Sequence, residues 1–263
     1  MNRIGEVLTV GHLVKAYGDR APAVDDVSFS LSAGKTLALV GESGAGKSTI
    51  GAVVTGTVAA TSGTVGVCGE DRSRPARSAR ERRRRGLQLQ LVPQDPYTTL
   101  DPTQTVGDAI AEAVSLRGGA RNGRAARVAD LLAMVGLSDA HRELRPRSLS
   151  GGQRQRVAIA RALAPEPEVI VLDEAVSALD VSVQAQVINL LNRIQRETGT
   201  AYLFITHDLA VVRQIADDVM VLRAGRIEET GSVDSIFGRP RSSYTRALLD
   251  ATPRPGWQPA QSG

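Results

Sequence analysis

The stretch TLALVGESGAGKST, residues 36–49, decides the fold. Its start is an apolar run typical of a buried central strand, and helical spacing follows the stretch to about Val54. Between them, GESGAGKS fits Gly-x-x-x-x-Gly-Lys-Ser/Thr. Because glycine has no Cβ, this pattern predicts a loop whose backbone N–H groups turn toward phosphate oxygens. Lys47 is then expected to reach the β- and γ-phosphates, and the Ser48 hydroxyl is a candidate Mg²⁺ ligand.

A second apolar run, residues 169–172, ends in a pair of acids, Asp173 and Glu174. Ligands of open α/β sheets lie at the carboxyl ends of the strands, so we expect these acids beside the glycine loop. Asp173 is a candidate for holding Mg²⁺ through water, and Glu174 for polarising an attacking water as general base. Adjacent acids also occur in solvated turns, but the glycine loop upstream favours the functional interpretation.

Composition limits the class of protein. A chain of 263 residues with 42% hydrophobic and 23% charged content is typical of one α/β domain, with or without an inserted subdomain. No apolar run approaches the ~20 residues of a membrane span, and no secretory signal is recognised, so we expect a cytoplasmic protein. The single cysteine, Cys68, excludes an internal disulfide and a cysteine-based zinc site.

The basic charge is confined to one segment. Between Arg72 and Arg85 lie eight arginines and one acid, Glu81, so this segment carries +7 and the rest of a +4 chain carries −3. Such runs can bind phosphate backbones or anionic lipids, but they more often form a solvated surface turn. No aromatic residues are interleaved to stack on bases, and we expect no nucleic-acid partner.

The remaining patterns alternate between strand and helix. Residues 7–17 and 27–31 predict strands, 105–164 are mainly helical, and 169–222 alternate again. The alternation predicts a mostly parallel sheet with a helical insertion between its halves. The tail after Pro240 has linker composition, and we expect its end to be disordered.

The pentapeptide Leu149-Ser150-Gly151-Gly152-Gln153 lies about a hundred residues after the glycine loop and about twenty before the acids. Ser150 is a good N-cap, and the N–H groups of the helix that follows form an anion site. The ordered trio of loop, pentapeptide and acids resembles the ATP-binding cassette (ABC) ATPases, whose signature motif is this pentapeptide. The resemblance implies an α/β fold, a P-loop NTPase of ABC type with a mostly parallel sheet core, an antiparallel β subdomain and an inserted helical subdomain. It also implies that the signature of one subunit closes on ATP held by another.

The resemblance also implies roles for smaller elements. Tyr17 corresponds to an aromatic that stacks on adenine, although a tyrosine in a strand, taken alone, favours core packing. Gln94 corresponds to a glutamine that senses Mg²⁺ and faces the transmembrane partner, and residues 177–180 to a loop that crosses the dimer interface. His207, at a predicted strand end, corresponds to a histidine that contacts the γ-phosphate, whereas His12 and His141 have no such context. The expected catalytic residues are Glu174 and His207, and the expected Mg²⁺ ligands are Ser48, Gln94 and Asp173. The expected ATP-binding residues are Tyr17, Gly41, Ser43, Gly44, Ala45, Gly46, Lys47, Ser48, Thr49, Gln94, Ser150, Gly151, Gly152, Gln153 and Asp180.

Within the superfamily, residues 93–102, 177–186 and 243–249 are similar to the ATPase subunits of peptide/nickel-type importers. We expect an ATP-binding domain over 5–240, with its helical subdomain at about 95–165, and a short extension over 241–263. The resemblance implies a second ATPase subunit (a copy or a related chain), two transmembrane permease subunits and an external substrate-binding protein. The expected function is ATP hydrolysis that powers peptide import at the cytoplasmic face of the membrane. Import of nickel or a metal chelate is the alternative, because Ala175 stands where most members have proline.

A DNA-repair or chromosome ATPase is a second class with the same motifs. Those chains normally carry a long coiled coil or zinc modules between the two motifs, whereas this chain has about a hundred residues and one cysteine there. A regulatory pseudo-ATPase would be expected to lose Lys47 or Glu174, and both are present. The sequence therefore favours a transport ATPase.

Overall fold

The structure, a computed structural model, describes residues 5–118 and 123–251. The strands within these ranges are β1 (Glu6–Lys15), β2 (Val24–Ser32), β3 (Thr36–Val40), β4 (Ser62–Val67), β5 (Glu70–Asp71), β6 (Leu89–Val92), β7 (Val169–Asp173), β8 (Ala201–Ile205), β9 (Asp218–Arg223) and β10 (Arg226–Ser232). The helices are α1 (Lys47–Val54), α2 (Ala79–Gln88), α3 (Val106–Ser115), α4 (Arg124–Met134), α5 (Gly151–Leu163), α6 (Val181–Thr198), α7 (Leu209–Ile215), α8 (Val233–Gly238) and α9 (Ser243–Asp250). The expected disorder of the chain end concerns residues outside the described ranges.

The larger sheet has six strands in the order β10-β9-β3-β8-β7-β6. Five of them are parallel, and β10 alone runs antiparallel, along β9. Strands β3 and β8 are buried along their whole length, which explains why their sequences are continuous apolar runs. The mostly parallel core predicted from the sequence is confirmed. Since β3 and β7 are both parallel to β8, their carboxyl ends meet at one edge of the sheet.

The two faces of this sheet bury different partners, because successive strand residues point to opposite faces. Val169 and Val171 of β7 belong to a core that also contains Leu8 and Val65 of the smaller sheet, which is antiparallel with the order β2-β1-β4-β5. Ile170 and Leu172 belong to a second core. That core joins the sheet to the helical insertion through Ile110, Leu131, Leu132 and Val157. The antiparallel sheet and the helices therefore cover opposite faces.

The second half of the arginine segment, from Ala79, is helix α2 rather than the turn expected from its charge, although this helix is solvent-exposed as expected. Ser78 caps α2 by accepting from the Glu81 N–H, and the Glu81 carboxylate pairs with Arg85 one turn later. No residue of α2 is buried, so the helix carries no apolar stripe that periodicity could detect. Its cap and its i,i+4 ion pair specify it instead.

The extension after Pro240 is also ordered as far as it is described. Helix α9 places Tyr244 and Leu249 against a small core that contains Val212 and Ile236. Across the described ranges no helix has both the length and the apolar content that a membrane crossing requires.

Candidate functional site

The glycine loop joins β3 to α1 at the carboxyl edge of the parallel sheet. Gly41 and Gly46 adopt φ values of 151° and 101°, which favour glycine. A Cβ on Gly41 would overlap the carbonyl of Leu222, and a Cβ on Gly46 would overlap that of Ala23. These two glycines are required by the close approach of neighbouring backbone as well as by their own dihedral angles.

Lys47 is buried inside this loop. Its Nζ donates to the carbonyl oxygens of Gly41 at 2.7 Å and Glu42 at 2.8 Å. Burial lowers the pKa of the ammonium, while the nearby carboxylates of Glu174 and Asp173 act to raise it. Among the residues that the structure describes, the hydrogen-bond partners of this ammonium at the loop are backbone oxygens alone.

Asp173 closes the site from β7. Its Oδ1 accepts a hydrogen bond from the Ser48 hydroxyl at 3.2 Å, so residues 125 positions apart meet as the sheet topology predicts. Burial raises the pKa of this carboxyl, and the hydrogen bond from Ser48 opposes that shift. A hydroxyl and a carboxylate are the hard oxygen donors that Mg²⁺ prefers, so the pair fits this cation.

Glu174 leaves the strand in a left-handed conformation, with φ 48°, which is rare for a residue with a side chain. Its N–H still donates to the Ile205 carbonyl of β8 at 2.9 Å, which anchors the turn to the sheet. Its Oε1 lies 3.2 Å from Nδ1 of His207, the residue that follows β8 and Thr206. The two candidate catalytic side chains are therefore in contact.

Gln94 joins the same group through Ser177. Its Nε2 donates to the Ser177 Oγ at 3.4 Å, and this hydroxyl donates to the Glu174 carbonyl at 2.9 Å. Asp180 follows shortly after and caps α6 by accepting from the Val183 N–H at 2.9 Å. Backbone and side-chain hydrogen bonds lower the pKa of Asp180, so this carboxylate is engaged within its own chain.

The signature pentapeptide begins α5, as expected. Ser150 and Gln153 form a reciprocal capping box, in which each side chain bonds to the backbone N–H of the other. A Cβ on Gly152 would overlap Cγ1 of Val183 in α6, so this glycine permits the close approach of the two helices. Within the described residues, the side-chain hydrogen bonds of Ser150 and Gln153 stay within the pentapeptide and His141, separate from those of Lys47 and Asp173.

The loop after Gln94 is tied to the signature helix. The Arg154 guanidinium lies 4.3 Å from the centroid of the Tyr97 ring, a cation–π geometry. Arg161, two turns along α5, donates to the Thr99 carbonyl. Sequence reasoning assigned no role to Tyr97, Arg154 or Arg161, because nothing in the spacing shows that this loop packs on α5.

The other predicted residues lie around the loop. Ser43 and Gly44 are exposed, Ala45 is buried and Thr49 is half-buried. Tyr17 follows β1 and is 50% exposed, with the Lys15 ammonium 4.7 Å from its ring centroid. The core packing that a strand tyrosine, taken alone, would favour is therefore wrong for Tyr17. Its ring is exposed and available to a ligand.

Comparisons with known proteins agree with this geometry. The sequence model described as ABC transporter matches residues 24–177, more than half of the chain. The dipeptide transport ATP-binding protein DppF of Escherichia coli (strain K12) is 47% identical over 233 residues, which cover 88% of this chain and 69% of that protein. The oligopeptide transport ATP-binding protein OppF of Bacillus subtilis (strain 168) is 45% identical over 235 residues, covering 89% of this chain and 77% of that protein.

Solved structures share the fold. The cbiO1 chain from Clostridium perfringens, part of the ABC transporter complex cbiONQ, superposes with a TM-score of 0.79 at 27% identity, covering 89% of this chain and 92% of that one. The ATP-binding cassette MJ0796, a dimer bound to ADP and Pi, superposes with a TM-score of 0.77 at 27% identity, covering 86% and 98%. The sequence model, the relatives and the fold agree, and this chain belongs to the ABC transporter family and carries its ATPase domain.

Proposed function

We propose that the chain is the ATP-hydrolysing subunit of a peptide importer, with MgATP bound between the glycine loop and the carboxyl end of β7. The contact between Glu174 and His207 carries the proposal. The Glu174 carboxylate of this pair acts on the buried Lys47 ammonium and follows directly after Asp173, which accepts from Ser48. This group of a cation, oxygen donors for Mg²⁺ and a candidate base is the set that phosphoryl transfer to water requires.

In this proposal each residue of the site has one task. Lys47 exchanges its two carbonyl contacts for the β- and γ-phosphate oxygens, and the loop N–H groups complete the cradle. Ser48 and Asp173 would hold Mg²⁺, which supplies neutralisation of the phosphate charge, with Gln94 at the rim. Among the described residues no cluster of three or more His, Cys, Asp and Glu could hold a metal. The two side-chain donors therefore suit a cation that keeps water and phosphate oxygens as its other ligands.

Glu174 acts as the general base in this proposal. The Nδ1 of His207 donates to Oε1 of the carboxylate and fixes its orientation, which leaves Oε2 to accept a proton from the attacking water. The ring of His207 is more than half exposed, so its free edge can reach the γ-phosphate. The adenine base is expected to stack on Tyr17.

The signature acts on a second subunit in this proposal. The start of α5 shares no polar contact with the glycine loop of its own chain, and its exposed N–H groups form an anion site that needs a phosphate from elsewhere. Two chains arranged head to tail would complete two ATP sites. Permease subunits at the cytoplasmic face of the membrane would contact the surface around Gln94 and the loop held by Arg154 and Arg161.

Light scattering on the Glu174→Gln variant tests the ATPase and the dimer together. This change preserves the carboxylate's shape and removes the base, so ATP binding should persist while turnover falls about 100-fold or more. MgATP should then convert the variant to a dimer, and addition of Ser150→Arg should abolish that dimer. A Glu174→Gln chain that keeps full turnover would contradict the assigned base.

The substrate requires a separate experiment. The relatives named above are peptide transport proteins, and this supports peptide over nickel for the present chain. Cells without the chain should lose growth on short peptides as nitrogen source and keep their nickel uptake. Normal growth on peptides with reduced nickel uptake would favour the alternative.

A further inference from the structure

His141, a residue outside every motif, contacts the signature. It lies in a short 3₁₀ helix between α4 and α5, Asp139–Glu143, and its Nε2 is 3.2 Å from the Nε2 of Gln153. Its Nδ1 is 2.9 Å from the Ser138 hydroxyl and 3.1 Å from the Ser138 carbonyl. The imidazole therefore stands between Ser138, which precedes this helix, and the glutamine of the pentapeptide.

The hydrogen-bond donors determine which tautomer this histidine adopts. The Ser150 N–H donates to Gln153 at 2.9 Å, so the amide atom that faces it must be the oxygen, Oε1. The Gln153 Nε2 is then a donor, and the His141 Nε2 must accept. The proton of the neutral ring consequently lies on Nδ1, where the Ser138 carbonyl can accept it.

This arrangement matters because the capping box decides which N–H groups remain free at the start of α5. The Gln153 N–H is satisfied by the Ser150 Oγ at 3.3 Å, and the Ser150 N–H by the Gln153 Oε1. The first N–H groups of a helix have no intrahelical acceptor, so those of Gly151 and Gly152 remain for an anion. If the Gln153 side chain rotated away, the Ser150 N–H would lose its acceptor. The N–H groups of Gly151 and Gly152 would then no longer be held in place.

We propose that His141 is a positioning residue of the signature: as a neutral Nδ1–H imidazole it holds the Gln153 amide so that Gly151 and Gly152 present their N–H groups to the γ-phosphate of a partner-bound ATP. The inference rests on the proposed function for its consequence, the closure of the dimer. The tautomer itself is a property of the free chain and does not depend on any partner.

Two variants of His141 separate positioning from packing. His141→Phe retains an aromatic ring and removes the acceptor, whereas His141→Gln places an amide oxygen where Nε2 stood. In the Glu174→Gln background we expect His141→Phe to raise the ATP concentration for half-maximal dimerisation about 5- to 10-fold, as loss of one hydrogen bond would. We expect His141→Gln to stay within about 2-fold. ATP binding by the monomer, which uses the distant glycine loop, should be unchanged in both.

The tautomer is measured on the full nucleotide-free chain with ¹⁵N-labelled histidine. The chain has three histidines, so single His→Gln variants assign the signals. An Nδ1–H tautomer at His141, together with selective loss of dimerisation in His141→Phe, supports the proposal. An Nε2–H tautomer overturns it. So does a His141→Phe chain that dimerises at the parent ATP concentration, or equal loss of thermal stability and monomer ATP binding in both variants. If the Glu174→Gln chain with His141 intact never dimerises, the proposed pairing of this chain with itself is contradicted, while the tautomer still decides the role of His141.

Discussion

At the scale of single residues, Asp173 is a candidate Mg²⁺ ligand whose buried carboxyl also affects the stability of the nucleotide-free protein. Its carboxyl is partly withdrawn from water, and burial raises its pKa. The folded state therefore binds this proton more tightly than the unfolded chain does. The resulting stability is fully present below the unfolded pKa, and it is lost as the pH rises through the raised folded value. At neutral pH the ionised carboxylate consequently destabilises the nucleotide-free protein.

Asp173→Asn should therefore be more stable and inactive. The amide keeps an acceptor for the Ser48 hydroxyl and removes the buried charge, so we expect the Tm of the nucleotide-free protein to rise by about 2 °C at pH 7.5. The gain should shrink as the pH falls toward the ordinary range of an Asp carboxyl, about 4. ATPase activity should fall about 100-fold or more. Thermal denaturation across pH checks this, with the exposed Asp19→Asn as control, and a pH-independent gain would contradict it.

Two glycines of the phosphate loop allow a matched comparison. Gly44 and Gly46 both adopt positive φ, at 81° and 101°, but only Gly46 has backbone within the space of a Cβ. Gly44→Ala should cost about 1 kcal/mol of unfolding free energy from its dihedral angles alone. Gly46→Ala should cost about 3 kcal/mol, because the Cβ meets the Ala23 carbonyl and the loop must move. Urea denaturation measures the unfolding free energy of both variants. Equal losses would show that dihedral strain alone accounts for the cost at Gly46.

At the scale of elements, the glycine at the second position of α5 fixes how the signature helix packs on α6. Gly152→Ala would press a Cβ against Val183, and overpacking of this kind costs about 1–3 kcal/mol. Val183→Ala removes the obstructing methyl group, so the cost of Gly152→Ala should nearly vanish in that background. A double-mutant cycle by urea denaturation gives the coupling energy. Additive losses of unfolding free energy would mean that the cost of Gly152→Ala does not come from its contact with Val183 of α6.

The elements differ in how well the sequence predicts them. The apolar runs of β3 and β7 are specified by burial on both faces, so the strands and the contact of Ser48 with Asp173 follow from composition and topology. Helix α2 and strand β10 were not predicted. The first has no buried residue, and the second alternates exposed and half-buried side chains along a sheet edge, so neither has the apolar pattern that sequence periodicity detects.

The candidate site shows the same division. The positions of the glycine loop and the two acids can be predicted from the sequence. They follow apolar strands, and the carboxyl ends of parallel strands meet at one edge of the sheet. The contacts of Gln153 with His141 and of Gly152 with Val183 depend on how α5 packs against neighbours distant in sequence. A lone histidine carries no sequence signal for such packing, which is why His141 was given no role.

At the scale of the whole molecule, each chain carries two half-sites. In the proposed function, Lys47, Asp173 and Glu174 form the half that holds nucleotide, and the start of α5 forms the half that closes on a partner's nucleotide. A head-to-tail pair therefore has two composite sites, each requiring both chains. This separation makes the trans arrangement testable without any membrane subunit.

Mixing two inactive chains should restore activity if the chain pairs with itself. Lys47→Ala destroys the nucleotide half and Ser150→Arg destroys the signature half, so each variant alone has no intact composite site. In a mixed dimer, the loop of the Ser150→Arg chain faces the signature of the Lys47→Ala chain, and both of these halves are intact. Random pairing of equal amounts makes half of the dimers mixed with one good site each, so the rate should recover to about one quarter of wild type. As control, the double variant carries both defects in one chain, and mixing it with either single variant creates no dimer with an intact site, so no activity should appear. No recovery in the first mixture, with both variants folded, would mean that the working partner of this chain is a different ATPase subunit.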